Sequence, residues 1–326
     1  MSKMQESEEF LKQTTVVIGH SFSFEHNTDI EQYLSEQVGL GKILQETQSL
    51  PLHADPNHVF TVLQANQYDV SLPSDSQQKT QYITSICIID NDKIILTDNG
   101  LKRVKLLDQH YKVISHLDMH LSEGGMCQIS TNEVVLALIE WSTHMLHFIC
   151  VNNGQLVKGN KLKLQHKCSG IAYHSGNLFV NSRTALKQYN MSGELLKSLF
   201  EDTTGSATVF KCAVSLPGDR IYVTNHIHSK LLTLATDGTI ISSFTDPELR
   251  NPYGVHVTTA GQVLVCGCSS ASILQVDKEG KKKLATLKSK KYGMFEPVSV
   301  CYDSKTNSVI VGQQHSTKNI LVLKVK

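Results

Sequence analysis

The segments Arg220–Asn225 (RIYVTN) and Leu232–Gly238 (LTLATDG) decide the fold, because their pattern returns along the chain. The first segment is a short run of β-branched and aromatic residues, which is typical of a buried strand. The second is an apolar strand that ends in Asp-Gly, where glycine supplies the positive φ of a tight hairpin. Copies of the first segment occur at Lys93–Asp98, Gly176–Asn181, Gln262–Gly267 and Ser308–Gly312.

The complete repeat contains four short strands and occurs six times. The first strand of each copy begins at an apolar position: Ile86, Met126, Ile171, Cys212, Val255 and Val298. A four-strand repeat of about 40–45 residues is the signature of propeller blades, which bury both faces only when they form a closed ring. The sequence therefore predicts an all-β, six-bladed β-propeller over residues 82–326.

The N-terminal part of the chain differs from the repeats. Apolar residues between Asp29 and Leu44 recur at helical spacing, so residues 1–50 are predicted to form a short helical segment. Residues 51–81 are predicted to be a connector. The sixth repeat is one strand short and ends with Ile320–Val325, so the apolar segment Val59–Leu63 is the candidate for the strand that closes the ring.

Composition limits the class of function. The chain has 326 residues and a net charge of +1, which argues against binding to nucleic acid or membranes by the overall field. No apolar run is long enough to span a bilayer, so no membrane partner is expected. Eight cysteines are scattered along the sequence, several within apolar strands, and no secretory signal precedes them. These features predict a reduced, cytoplasmic protein.

Two repeats carry a resemblance to a known family. Ile94–Asp108 and Asn251–Gly280 resemble NHL-type repeats, which form the C-terminal propeller of tripartite-motif proteins. The resemblance implies a propeller of the kind used for substrate recognition in tripartite-motif ubiquitin ligases. No RING or B-box motif is present in this sequence. The Asp/Asn and Arg pair of the family corresponds to Asp98 and Arg103 in the first blade, and it is replaced by Gly267 and Ser272 in the fifth.

The candidate binding residues lie in loops. In a four-stranded blade, the turns between strands two and three share one face of the ring with the connections that enter strand one. This face is predicted to bind a partner protein, because loops on a rigid scaffold usually carry function. Its predicted partner-binding residues are Asp98, Arg103, Trp141, His144, Asn225, His226, His228, Tyr253 and His315. Trp141, the only tryptophan, is either an exposed anchor or a cap on the gap between two blades.

A lysine-rich segment near the fifth blade has two interpretations. Its members are Lys281, Lys282, Lys283, Lys288, Lys290 and Lys291. The segment could bind the phosphate backbone of single-stranded RNA. It could also protect the outer edge strand of the blade from pairing with other sheets.

No nucleophile elbow, Walker loop or zincin motif is present, so the chain is predicted to act without catalysis and without a cofactor. The predicted function is a recognition or scaffold protein with a protein partner. The alternative is a propeller enzyme, such as a calcium-dependent hydrolase. In that case the candidate calcium ligands at the channel mouth are Asp98, Glu140, Asn181 and Asn225.

Overall fold

The computed structural model describes residues 55–75, 82–89, 92–120, 122–139, 144–288, 293–314 and 318–326, apart from the side chains of Glu123 and Lys288. The predicted N-terminal helical segment, residues 1–50, lies outside the described residues. No α-helix occurs in the described part of the chain, and none of its segments is a helix that could cross a membrane.

The described residues form 24 β-strands. The strand that precedes the repeats is β1 (Val62–Asp69). Blade 1 contains β2 (Ile83–Ile89), β3 (Lys93–Asp98), β4 (Arg103–Leu107) and β5 (Val113–Asp118). Blade 2 contains β6 (Ser122–Ser130), β7 (Glu133–Ile139), β8 (His144–Asn152) and β9 (Gln155–Leu164). Blade 3 contains β10 (Gly170–His174), β11 (Asn177–Asn181), β12 (Ala185–Asn190) and β13 (Leu195–Glu201).

Blade 4 contains β14 (Lys211–Val214), β15 (Arg220–Asn225), β16 (Lys230–Ala235) and β17 (Ile240–Phe244). Blade 5 contains β18 (Pro252–Val257), β19 (Val263–Gly267), β20 (Ser272–Val276) and β21 (Lys283–Lys288). Blade 6 contains β22 (Pro297–Asp303), β23 (Ser308–Gln313) and β24 (Asn319–Val325), together with β1. Each blade is a four-stranded antiparallel sheet, so the predicted all-β, six-bladed propeller is confirmed.

The core lies between neighbouring blades. The described residues form six apolar clusters, and each cluster joins two adjacent sheets. In β15, Ile221 and Val223 pack in the cluster between blades 3 and 4, while Tyr222 packs between blades 4 and 5. Successive side chains of a strand point to opposite faces of its sheet. Both faces of each blade are thus buried, which explains why the second strands are apolar throughout rather than alternating.

The first strands of the blades lie close together around the axis. A Cβ atom added at Gly254, in β18, would lie only 2.7 Å from the backbone oxygen of Val298, just inside β22 of the next blade. This close approach requires glycine. It gives a physical reason for the Pro-x-Gly-Val pattern that the sequence shows at Pro252–Val255.

The ring is closed by a strand from the N-terminal side of the repeats. β1 pairs with β24 in antiparallel register, from Val62 opposite Val325 to Asp69 opposite Asn319. The predicted closing strand, Val59–Leu63, was wrong in its position, because it overlaps β1 only at its first two residues. The reason is that β1 is the outer strand of its sheet and is mostly exposed, so its sequence is polar.

The apolar residues just before β1 have a different role. Phe60 is buried in the cluster between blades 5 and 6. Residues 55–61, which we call the strap, are fixed by two buried glutamines. The Gln262 side-chain amide donates to the backbone oxygens of Pro56 and His58, at 2.9 and 2.7 Å. Gln275 donates to the oxygen of His58 and accepts from the N–H of Phe60, both at 2.8 Å.

The segment after β1 is fixed to blade 1 by a buried ammonium group. The Lys105 side chain is fully buried, and its Nζ lies 3.1 Å from a carboxylate oxygen of Asp75 and 3.1 Å from one of Asp98. It also donates to the backbone oxygen of Val70 at 2.9 Å. We call Asp75, Lys105 and Asp98 the clasp, because they join the residues that follow the closing strand to the neighbouring blade.

Breaking the clasp is expected to destabilise the ring. In the Lys105→Met variant, two buried carboxylates lose their shared cation, and removing one partner of a buried ion pair costs about 3–5 kcal/mol. Urea denaturation of the full chain measures the free energy of unfolding. Lys112→Met, at an exposed lysine on the same blade, is the control and should change it by less than about 0.5 kcal/mol. Equal stability of the two variants would contradict a structural role for the clasp.

Candidate functional site

The two faces of the ring are built differently. The loop face carries the turns between second and third strands and the connections into first strands. The hairpin face, on the other side, carries the turns between first and second strands and between third and fourth strands. The predicted partner-binding residues that the structure describes all lie on the loop face or directly beneath it.

The polar residues that end the second strands hold the loop face together. Asp98, at the end of β3, accepts hydrogen bonds from the backbone N–H groups of Tyr82 and Leu101, both at 3.2 Å. Asn225, at the end of β15, accepts from the N–H of His228 at 2.9 Å. Both side chains are buried. They fix the turn that follows them, which is a structural task.

Asp98 and Arg103 lie opposite each other in β3 and β4, but their side chains do not form an ion pair with each other. The Asp98 carboxylate contacts Lys105, whereas Arg103 contacts Asp75 and, at 2.5 Å, Asp118. Hydrogen bonding from Arg103 lowers the pKa of Asp118. Burial alone would raise the pKa of Asp75, but the Leu72 N–H, Lys105 and Arg103 hold it below its usual value.

In blade 5, serine hydroxyl groups take the place of the buried Asp or Asn side chain that bonds to the backbone at the end of a second strand. Gly267 ends β19, and a Cβ atom there would lie 2.7 Å from the Ser272 hydroxyl and from the backbone oxygen of Glu248. The hydroxyls of Ser270 and Ser272 each donate to that oxygen at 2.6 Å. Where the sequence has Gly267 and Ser272 instead of the Asp/Asn and Arg pair, hydrogen bonds from serine hydroxyls therefore replace those of a buried carboxylate or amide.

An aromatic and cationic group lies at the loop-face mouth of the central channel. We call it the loop-face cluster. It consists of Tyr82, Arg183, Phe210, Lys211, His226 and Tyr253. The ring of Tyr253 is perpendicular to that of Phe210, with centroids 4.7 Å apart, and to that of His226, at 6.0 Å. The Tyr82 hydroxyl donates to that of Tyr253 at 2.9 Å, which links blade 1 with blade 5.

Two cations flank these rings. The Arg183 guanidinium carbon lies 6.0 Å from the centroid of Phe210, and the Lys211 ammonium lies 5.6 Å from the centroid of Tyr253. Both distances are within the range of cation–π attraction. Arg183 is exposed and has a positive φ of 79°, an uncommon conformation for a residue other than glycine, and its Nε donates to the backbone oxygen of Ser206.

The scaffold positions the cluster through backbone hydrogen bonds. The Thr224 hydroxyl accepts from the N–H of Lys211 at 3.1 Å and donates to the backbone oxygen of Tyr253 at 3.0 Å. Thr224, near the end of β15, thus fixes the backbone at the starts of the first strands of blades 4 and 5. The Nδ1 atom of His226 lies 3.2 Å from the oxygen of Pro252. Burial lowers the pKa of His226, so this imidazole is neutral at pH 7.

Lys211 also narrows the central channel. Its ammonium donates to the backbone oxygen of Gly124, at the start of the first strand of blade 2. On the hairpin side of this crossing the channel widens to a cavity of about 500 Å³, lined by inner-strand residues that include Cys127, His256 and Cys301. A smaller space of about 60 Å³ adjoins this cavity and is lined by Lys211 and by residues that follow the crossing in the first strands, such as Gly125 and Cys212.

The other predicted site residues do not belong to the loop-face cluster. His228 is exposed, and the Nδ1 atom of His144 is buried without a hydrogen-bond partner among the described residues. Glu140, Trp141, His315, Lys290 and Lys291 lie outside the described residues. Lys281 and Lys282 are exposed in the turn before β21, and Lys283 in that outer strand contacts Asp246 at 2.7 Å and Glu248 at 3.3 Å.

Three of the four candidate calcium ligands, Asp98, Asn181 and Asn225, lie in the described residues, and two of them contact other side chains. The Asp98 carboxylate already holds the Lys105 ammonium, and the Asn225 amide donates to Asp202 at 3.4 Å. The amide of Asn181 is buried without a partner in the described part of the chain. Within the same residues, no three His, Cys, Asp or Glu side chains are grouped so that they could hold a metal ion.

Phe210, the aromatic residue that leads into blade 4, is not among the residues predicted from the sequence. Phe210 and Tyr253 stand two residues before Cys212 and Val255, the apolar positions that mark two successive repeats. This alignment could have identified Phe210. The contacts of Arg183, Lys211 and Tyr82 with the rings depend on ring closure and carry no such signal.

Solved structures similar to this chain are propellers of distant sequence. Virginiamycin B lyase from Staphylococcus aureus is 13% identical, with a TM-score of 0.58, over 81% of this chain and 99% of that chain. A protein of unknown function from Bacteroides thetaiotaomicron is 13% identical, with a TM-score of 0.64, over 81% and 76%. The Cps50 (Swd1) β-propeller domain from Myceliophteria thermophila is 14% identical, with a TM-score of 0.54, over 75% and 83%.

These likenesses show the fold alone. No protein-family model matches the sequence, and no curated protein matches it. The similarity to tripartite-motif/NHL proteins therefore has no support from family or sequence comparison and stays a resemblance.

The structural role of Asn225 can be tested against its exposed neighbour His228. Asn225→Ala removes the hydrogen bond to the partly buried N–H of His228, and loss of such a bond costs about 0.5–1.5 kcal/mol. His228→Ala keeps this hydrogen bond, because only the backbone of His228 takes part in it, and should leave the melting temperature almost unchanged. Thermal unfolding followed by circular dichroism measures both. A melting temperature of Asn225→Ala equal to that of the parent chain would contradict this role.

Proposed function

We propose that this protein is a non-catalytic recognition or scaffold protein that binds a partner protein through its loop face. The loop-face cluster is the centre of the contact. The observation that carries the proposal is the position of exposed Arg183 beside the ring of Phe210, which in turn contacts the rings of His226 and Tyr253. This role is of the kind that the resemblance to tripartite-motif/NHL proteins implies.

The composition of the cluster supports this proposal. Interface hot spots are enriched in Tyr, Trp and Arg and lie near the centre of the contact. Tyr253 and Arg183 are such residues, and their backbones are fixed, so little conformational entropy is lost on binding. Exposed apolar side chains at the same face, Ile227 and Phe295, add area around the centre. We propose that this interaction takes place in the cytoplasm, where the eight cysteines, all free thiols in the structure, stay reduced.

Single-stranded RNA is the second candidate for the loop face. Aromatic faces flanked by cations can stack bases, which is a common basis of single-strand recognition. The lysine-rich segment gives this candidate little support, because Lys283 is held by Asp246 and Glu248, and hydrogen bonding to Asp246 raises its pKa. These carboxylates reduce the positive field that phosphate binding needs.

An enzymatic function is the alternative to recognition, since virginiamycin B lyase is among the similar folds. For a calcium-dependent hydrolase, an ion that binds only the folded chain would raise its melting temperature. We expect no change on titration with calcium, because the Lys105 ammonium already occupies the Asp98 carboxylate. A rise of several degrees that a chelator reverses would instead support the calcium enzyme.

The loop-face proposal is tested with matched arginine variants. Arg183→Ala removes the exposed cation of the cluster and should weaken capture of the partner by about 10- to 30-fold, on the order of 2 kcal/mol. Arg220→Ala, on the hairpin face, removes only a surface ion pair with Asp219 and should change capture less than about twofold. The measurement is the amount of partner retained from lysate by serial concentrations of immobilised full chain.

Two controls make the outcome decisive. Melting temperatures of both variants should equal that of the parent chain, because both arginines lie at turns outside the core. Capture should survive treatment of the lysate with RNase. Equal capture by Arg183→Ala and the parent would contradict the proposal, and loss of capture after RNase would favour RNA as the partner.

A further inference from the structure

A second cavity lies on the hairpin face, between blades 5 and 6. Its volume is about 450 Å³, which is within the usual range for small-molecule sites. The strap forms one wall, the hairpin Thr258–Gln262 forms another, and residues 302–307 of blade 6 form a third. It shares Thr259, Tyr302 and Ser304 with the wide end of the central channel. None of the predicted site residues and none of the loop-face cluster lines it.

The walls of this cavity are fixed in place. Gln262 is 1% exposed and holds the strap through Pro56 and His58, as described above. Its side-chain oxygen accepts from the Gln275 amide at 2.8 Å, so both glutamines are satisfied by the strap and by each other. A site whose walls are held by buried hydrogen bonds needs little reorganisation when a ligand enters.

Aromatic rings provide the main contact surface. The rings of Phe60 and Tyr302 lie 4.9 Å apart at a tilt of 33°, and His58 contacts Phe60 edge-on at 5.8 Å. The Tyr302 hydroxyl donates to Asn307 at 2.9 Å, which fixes the orientation of this ring. Flat, apolar walls of this kind favour a flat aromatic ligand.

One buried polar group in the wall lacks a partner. Thr258 is 1% exposed, and its hydroxyl has no hydrogen-bond partner among the described residues, although its backbone N–H and oxygen are both bonded within the hairpin. An unsatisfied buried hydroxyl is costly and rare in native proteins. Thr233 has a similar hydroxyl, but it does not line this cavity, and a Cβ atom on Gly280 would collide with it.

We propose that the cavity between blades 5 and 6 binds an uncharged, planar aromatic small molecule whose polar substituent hydrogen-bonds to the Thr258 hydroxyl. The Phe60 and Tyr302 rings contact the face or edge of the ligand, and the fixed strap defines the width of the site.

The rim of the cavity carries one acidic and one basic side chain, Asp55 and Lys326, so it has no net charge that would attract an ion. The charged residues in the wall of the adjoining channel, Asp303 and Lys305, are likewise of opposite sign. Burial lowers the pKa of His256 to about 4 and raises that of Cys301 to about 12, so both groups are neutral at pH 7. Burial also raises the pKa of Tyr302, so its phenol stays protonated. An uncharged ligand loses the least hydration on entering such surroundings.

Benzamide is a suitable probe, because it is planar, uncharged and has both a donor and an acceptor. Saturation-transfer NMR with the full chain should detect its binding with a dissociation constant on the order of 1 mM, as expected for a ligand of this size. Cyclohexanecarboxamide has the same polar group without the flat ring, and benzoate is anionic. Both should bind at least about fivefold more weakly than benzamide.

Variants locate the binding. Thr258→Val keeps the shape of the side chain and removes the hydroxyl, so benzamide should bind about fivefold more weakly while the melting temperature stays equal or rises. Tyr302→Leu removes the ring and should weaken binding by a similar factor. Thr233→Val, at the enclosed hydroxyl, should bind benzamide as the parent chain does.

Four results would overturn the proposal. They are no benzamide binding at about 10 mM, unchanged binding by Thr258→Val, benzoate binding as tight as that of benzamide, or a lower melting temperature of Thr258→Val. The last result would mean that the hydroxyl already has an internal partner. Because this site lies on the hairpin face, Arg183→Ala should not change benzamide binding, so this test and that of the loop face can fail independently.

Discussion

The pairing of β1 with β24 is the interaction on which the ring depends. Each blade buries its two faces against its neighbours, so none is stable until the sixth blade joins the first. The closing strand itself contributes little apolar area, because it is exposed. Its position is secured on both sides instead, by the strap before it and by the clasp after it. Backbone hydrogen bonds thus define the register, and buried side chains keep the strand in place.

Buried polar groups of this kind recur at the ends of the second strands. Asp98, Asn225 and the serines beside Gly267 satisfy backbone groups where a turn leaves the sheet. A buried N–H or carbonyl group must be paired, and a turn cannot supply all partners from its own backbone. Such polar groups are therefore part of the scaffold in blades 1, 4 and 5, whereas the Asn181 amide in blade 3 has no partner among the described residues. The proposed recognition role rests instead on residues that differ between the blades, such as Arg183 and Phe210.

Sequence patterns predicted the repeat well, because each blade must alternate apolar strands with tight turns. They failed at β1, since an exposed outer strand shows no apolar run, and the apolar residue Phe60 nearby packs in the core instead of the sheet. A sequence also does not reveal that Lys105 and Asp118 are the contacts of Asp98 and Arg103, and the predicted binding role of these two residues stays a prediction. The loop-face cluster joins residues of four blades, and only the closed ring brings them together.

The register of β1 with β24 has a consequence for biosynthesis. About 250 residues separate the two strands, so β1 leaves the ribosome long before its partner exists. At a synthesis rate of about 5–20 residues per second, this delay is on the order of 10–50 seconds. Throughout that time β1 has no partner strand, and Phe60 of the strap and the face of blade 1 that packs against blade 6 are exposed on the nascent chain. The ring is therefore completed only after its last blade has been synthesised, and the polar sequence of β1 makes the waiting strand less prone to aggregate.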